Sequence, residues 1–183
     1  MGQIRSNATE ALLFFALFSK SPDVLDITEE RLSSHFGPIT FRSPRFIFDD
    51  TKYYERTMGA AVQKEWIAFD RLIDQSSLGD IKTQTNELER EIAAETPLDV
   101  ARPINIDPGM VDEGKVMLAS TKNHAHRIYV GGGIFVEVTL YLREGNWDFW
   151  PWTYRDYRRP EAKEFFDQVR ARFRELKLAS TTA

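Results

Sequence analysis

The chain has 183 residues, 42% of them apolar, no cysteine, and a formal net charge of −4. That length supports a core without covalent staples, and the absence of cysteine excludes disulfides, thiolate metal sites, iron–sulfur clusters and cysteine nucleophiles. The acidic balance argues against a general nucleic-acid binder, and no apolar run reaches the ~20 residues of a membrane span, so the expectation is a cytoplasmic protein without a membrane.

Residues 1–10 read as a flexible N-terminus to one α+β domain spanning 1–183. Residues 11–18 (ALLFFALF) are apolar at every position, the pattern of a strand covered on both faces. A helix should follow, capped by Asp26 or Thr28 and stopped at Gly37–Pro38, with His35 near its favourable C-terminal end. Residues 39–48 are extended, but Pro44 removes a ladder donor and predicts an edge strand or two short pieces. Asp49 to Thr51 can cap a long helix. Tyr54, Met58, Ala61, Val62, Trp66, Phe69, Leu72 and Ile73 recur at helical spacing and predict an amphipathic helix over residues 52–73. A weaker helix should run from Leu78 to about Ala94, with Lys82, Asn86 and Glu89 on a strip that reads first as a solvated face.

Residues 96–103 form a linker with two prolines, and a short strand Ile104–Ile106 should end at a Pro108–Gly109 turn, with Asn105 and Asp107 on one face. Another strand begins at Lys115. The runs 126–130 and 134–142 flank Gly131–Gly133, the signature of a hairpin whose turn needs positive φ. A three-residue loop would set Tyr129 opposite Phe135, Ile128 opposite Val136 and Arg127 opposite Glu137. Alternation then makes an apolar face of Ile128, Val130, Ile134, Val136, Val138 and Leu140, and a polar and aromatic face of Arg127, Tyr129, Glu137, Thr139 and Tyr141. Trp147, Phe149, Trp150 and Trp152 read as a core plug, and Pro160 opens a last helix with Ala162, Phe165, Phe166, Val169, Phe173 and Leu176 on its buried stripe. The expected architecture is a largely antiparallel or mixed sheet of about five or six strands covered by amphipathic helices.

The stretches YYERTMG, TNELE, RPINIDPG, LASTKNHAHRIYVGGGIFVEVTL and PWTYRDYR together resemble an uncharacterised bacterial family classed as a domain of unknown function. Some of its members carry an automatic label of GTP-binding protein. The matching positions include Tyr53, Tyr54, Glu55, Lys82, Asn86, Glu89, Asp156 and Tyr157, while Thr57, Met110 and Arg155 depart from the family pattern. The resemblance implies no activity. The GTP label finds no P-loop, because Gly131–Gly133 is followed by Ile-Phe instead of a helix with Lys and Ser or Thr.

The candidate chemistry lies on the polar sheet face. Asp107, Glu137 and His126 are the candidate acids and bases, and Arg102, Asn105, Lys122, Arg127 and Thr139 the candidate ligand-binding residues. His124 and His126, two apart, could meet one ion on a strand, but a third ligand has no evident spacing, so no metal site is assigned; Mg²⁺ at Asp107 is compatible with the sequence and not required by it. Two readings stand: binding or transformation of a small phosphorylated or carboxylated metabolite, and a non-catalytic interaction domain using the polar face and the aromatic cluster from Trp147 to Trp152. Nucleic acid is the third choice, and neither reading sets an oligomeric state.

Overall fold

The computed structural model describes residues 9–49, 55–96 and 98–181. The fold is α+β. Its strands are β1 (Glu10–Ser19), β2 (Ile39–Arg42), β3 (Phe46–Ile47), β4 (Gln63–Asp74), β5 (Asn105–Val111), β6 (Lys115–Ser120), β7 (Ile128–Gly131), β8 (Ile134–Arg143) and β9 (Asn146–Phe149). Its helices are α1 (Pro22–Phe36), the single turn α2 (Glu55–Met58), α3 (Leu78–Glu95) and α4 (Pro160–Thr181). All strand pairs are antiparallel and make one open sheet in the order β2-β4-β1-β5-β6-β8-β7, with β3 added beside β4 and β9 beside β8.

β1 is the axis of the sheet, paired with β4 on one side and β5 on the other, and buried from Ala11 to Ser19. Its alternate side chains feed two cores. Leu13, Phe15 and Leu17 pack with Leu25 and Leu32 of α1 and with Ile81, Leu88 and Ile92 of α3. Leu12, Phe14 and Phe18 pack on the other face with Trp66 and with Phe165, Phe166 and Val169 of α4. A strand covered on both faces has no polar side, which is why residues 11–18 are apolar throughout.

The helix expected over residues 52–73 is not formed: residues 63–74 are strand β4, and the sheet has nine strands instead of five or six. β4 lies inside the sheet and is buried from Lys64 to Phe69, so its apolar residues run together and fit a helical template as well as a strand. Lys64 and Glu65, both buried, supplied a false polar face. Gly59 and Ala61, with φ of 86° and 56°, separate α2 from β4. The expected cap at Asp50 and Thr51 and the start of that helix at 52–54 lie outside the described residues, as do residues 1–8 of the expected flexible N-terminus, of which Glu10 already opens β1.

Other boundaries shift for local reasons. Helix α1 starts at Pro22, with Ser21 as N-cap, because a proline at the first position loses no hydrogen bond; Asp26 and Thr28 are interior. Strand β5 runs straight through Pro108–Gly109, where a turn was expected. The hairpin closes on Gly131 opposite Ile134, one residue tighter than expected, leaving Val130 in a bulge, while the Ile128–Val136 and Tyr129–Phe135 pairs form as expected. The sorting of faces holds only in part: Ile134 and Leu140 are buried and Val136 packs against the core, but Ile128 and Val130 are 73% and 50% exposed, whereas Glu137 and Thr139 are buried. A bulge in β8 at Thr139 lets Leu140 turn into the α4-side core. Helices α3 and α4, strand β6 and the division of residues 39–48 into two edge pieces follow the sequence reading, and β1 and β2 run in the same direction with β4 between them.

Candidate functional site

The sheet splits at one end, and the split makes the site. β5 pairs with β1 from Asn105 to Val111, and β6 pairs with β8 along its length, but β5 and β6 meet only at Gly109–Leu118, Met110–Met117 and Val111–Val116. The next residue of β5 is Pro108, which has no N–H to extend the ladder. Beyond it β5 and β6 diverge and flank an open-mouthed cavity of about 520 Å³, within the ~300–1,000 Å³ range of small-molecule sites. At the point of closest approach only glycine fits, since a Cβ at Gly109 would collide with the Phe14 ring and the Met117 carbonyl oxygen.

Backbone groups freed by the split must find other partners. Those of Ile106 go to helix α3: its N–H donates to Glu89 Oε1 (2.7 Å) and its carbonyl accepts from Lys82 Nζ (2.8 Å). Lys82 also donates to Asp107 Oδ1 (3.0 Å), and Asn105 Nδ2 donates to Asp107 Oδ2 (2.8 Å). Glu89 in turn holds Arg102 through Nη2 (2.6 Å). This is the polar wall of the cavity, completed by Asn86 one helical turn after Lys82. Burial raises the pKa of Glu89 against the pull of Lys82 and Arg102; burial also pushes Asp107 up, but Lys82, Asn105 and Arg102 outweigh it and hold Asp107 below the usual carboxylate range.

The opposite wall comes from the α4 side of the sheet. Lys64 and Asp156 form a buried ion pair there, with the Lys64 ammonium 4.3 Å from the centre of the Phe18 ring and 4.6 Å from that of Tyr157. The third wall carries Ser120, Lys122, His124, Arg127 and Tyr154. Arg127 is clamped: Nε donates to Glu137 Oε2 (2.7 Å), Nη1 to Ser120 Oγ (2.7 Å) and the Lys122 carbonyl (3.0 Å), and Nη2 to the Tyr154 hydroxyl (2.8 Å). Burial raises the pKa of the Tyr154 phenol against the pull of Arg127, so it remains a neutral donor and acceptor at neutral pH.

A model of the family described as domain of unknown function DUF4416 matches residues 9–173, nearly the whole chain. The chain belongs to the DUF4416 family. Among curated proteins and among solved structures, nothing matches it.

In this DUF4416 chain the cavity gathers Arg102, Asn105, Asp107, Lys122 and Arg127 from the residues that the sequence singled out. Glu137, His126 and Thr139 instead form a network behind the third wall, where Glu137 accepts from Arg127, from Thr139 Oγ1 (3.2 Å) and lies 3.1 Å from His126 Nε2. The expected Arg127–Glu137 pair is formed. His124 and His126 sit in the loop before β7, not on a strand facing the apolar side, and their rings stack 5.7 Å apart. The expected core plug is half outside: Phe149 and Trp152 are each 45% exposed, and Trp152 stacks on His126 at 5.2 Å. The strip of Lys82, Asn86 and Glu89 is no solvated face, since Lys82 is buried and Lys82 and Asn86 line the cavity. Lys64 escaped the sequence reading because it lay inside the expected helix, and Tyr154 because a single phenol in a basic stretch carries no spacing signal. Tyr53 and Tyr54 lie outside the described residues.

Proposed function

We propose that this DUF4416 protein binds or transforms a small anionic metabolite, phosphorylated or carboxylated, in the cavity between β5 and β6. The observation that carries this reading is convergence: Lys64, Lys82, Arg102, Lys122 and Arg127 face one cleft whose described lining holds Asp107 and Asp156, with Glu89 and Glu137 paired to Arg102 and Arg127 from behind it, so that cations still exceed carboxylates in a protein of net charge −4. Anions are drawn to such a local surplus, and low-dielectric walls strengthen the attraction. A GTPase reading has no support, because Gly131–Gly133 is a hairpin turn and not a phosphate loop. Mg²⁺ at Asp107 would have to share the two carboxylate oxygens with Lys82 and Asn105, and the Lys82 ammonium beside it opposes a second cation. We place the activity in the bacterial cytoplasm; among the described residues no helix is long and apolar enough to cross a membrane.

The interaction-domain reading rests on the exposed Phe149 and Trp152, but a concave cleft of small-molecule size lined by cations favours a small ligand. A thermal-shift screen of nucleotides, sugar phosphates and carboxylates, with and without Mg²⁺, tests it. A ligand at ~100 times its Kd should stabilise the fold by about 2.7 kcal/mol, or roughly 5–11 °C in Tm. Lys82→Met should abolish the shift. A hit that Lys82→Met leaves untouched places the site elsewhere, and a panel in which no anion stabilises the protein overturns the reading.

A further inference from the structure

We propose that Asn105 selects, among anions, those that carry a hydroxyl or amino group beside the charged group, so that the ligand class is hydroxylated or aminated anions such as polyol phosphates and hydroxy acids. The inference rests on the anion-binding reading and adds the feature by which one anion is told from another. Its basis is an unmatched acceptor. Asn105 is 3% exposed and lines the cavity, and among the described residues its side chain makes one hydrogen bond, from Nδ2 to Asp107 Oδ2. The orientation of the amide is dictated by chemistry: an ionised carboxylate only accepts, so the NH₂ must face Asp107 and the carbonyl oxygen Oδ1 must face away. Asp107 is ionised at neutral pH because Lys82, Asn105 and Arg102 outweigh its burial. Asn105 Oδ1 thus has no partner among the described residues and stays open to the cavity, where a ligand that displaces water must replace the hydrogen bond water gives it.

The cation and the acceptor are held side by side. Lys82 Nζ binds one oxygen of Asp107 and Asn105 the other, at 3.0 and 2.8 Å, so the carboxylate spaces an ammonium and a carbonyl oxygen at the same wall. Asn86, one turn along α3, lines the same wall with a side chain that likewise has no partner among the described residues. A ligand that puts its anionic group on Lys82 and an O–H or N–H on Asn105 satisfies both. An anion without that donor leaves the acceptor dry, and a site built to accept a hydrogen bond rejects the analogue that lacks it.

The test measures matched pairs on the full chain by calorimetry: glycerol 3-phosphate against propyl phosphate, malate against succinate, and lactate against propionate. In the wild type the hydroxylated member of the tightest-binding pair should bind about 10- to 100-fold more tightly than its deoxy counterpart. Asn105→Ala should reduce that ratio to below about threefold by weakening the hydroxylated member alone. Equal affinities within every pair in the wild type overturn the role of Asn105 and leave anion binding standing, and this comparison needs no variant to fold. An undiminished ratio in folded Asn105→Ala also overturns it, since the donor is then read elsewhere. Failure of every anion, hydroxylated or not, overturns the anion reading itself.

Discussion

Arg127 shows how far a residue's type can mislead about its task. It lines the cavity, yet four hydrogen bonds to Glu137, Ser120, Lys122 and Tyr154 engage most of the five N–H donors of its guanidinium. Its first role is to hold the third wall together. Replacing Glu137 by Gln strands a buried cation, so Glu137→Gln should cost about 3–5 kcal/mol in denaturant unfolding. A loss below about 1 kcal/mol, the value of an exposed pair, would contradict this role. Asp107 makes a different prediction. Its folded pKa lies below the ordinary 3.8 because its partners outweigh its burial, so the stability it contributes is complete above about pH 4 and is lost as pH falls through the folded value. Stability measured by urea unfolding should therefore fall more steeply below about pH 4 in the wild type than in Asp107→Asn. Parallel curves would show that Asp107 is not held in this way.

Among the elements, a clean stripe, as in α4, or an unbroken apolar run, as in β1, was legible. Helix α4 announces itself because Phe165, Phe166, Val169 and Phe173 sit on one stripe with polar residues opposite. β4, covered on both faces like β1, could not be read this way, since the buried Lys64 and Glu65 interrupt its apolar run and mimic the polar side of a helix. The same physics hid half the site. Lys64 is charged, buried and inside β4, and nothing in its neighbourhood along the chain marks it as facing Asp156, 92 positions away. Asn105 and Asp107 were legible as a same-face pair, but the split that gives them a cavity depends on where β6 stops pairing with β5. Gly109 is the hinge of that geometry. Gly109→Ala should destabilise by at least the ~1–3 kcal/mol of an overpacked core, because Phe14 and the Met117 backbone both stand in the way. An unchanged denaturation midpoint would show that the strands can separate there without cost.

Across the whole molecule, protection should fall from the centre of the sheet to its end. β1 has a partner strand on each side and no exposed position after Glu10, while β7 has β8 alone among the described strands and exposes Ile128, Tyr129 and Val130. Hydrogen exchange should find β1 amides opening only with global unfolding and β7 amides opening locally, by orders of magnitude faster. Equal protection of the two strands would mean that the β7 edge is covered in solution.

The central position of β1 also has a consequence in time. Ser19 pairs with Gln63, and Phe18 with Asn105, so the most apolar segment of the chain is made long before either of its neighbours. At ~5–20 residues per second, a nascent β1 waits roughly 2–9 s for β4 and about twice that for β5. Throughout that interval ALLFFALF leaves the ribosome as an unpaired apolar strand with no charge inside it. Until the middle of the sheet exists, this strand is the segment of the chain most open to pairing with another copy.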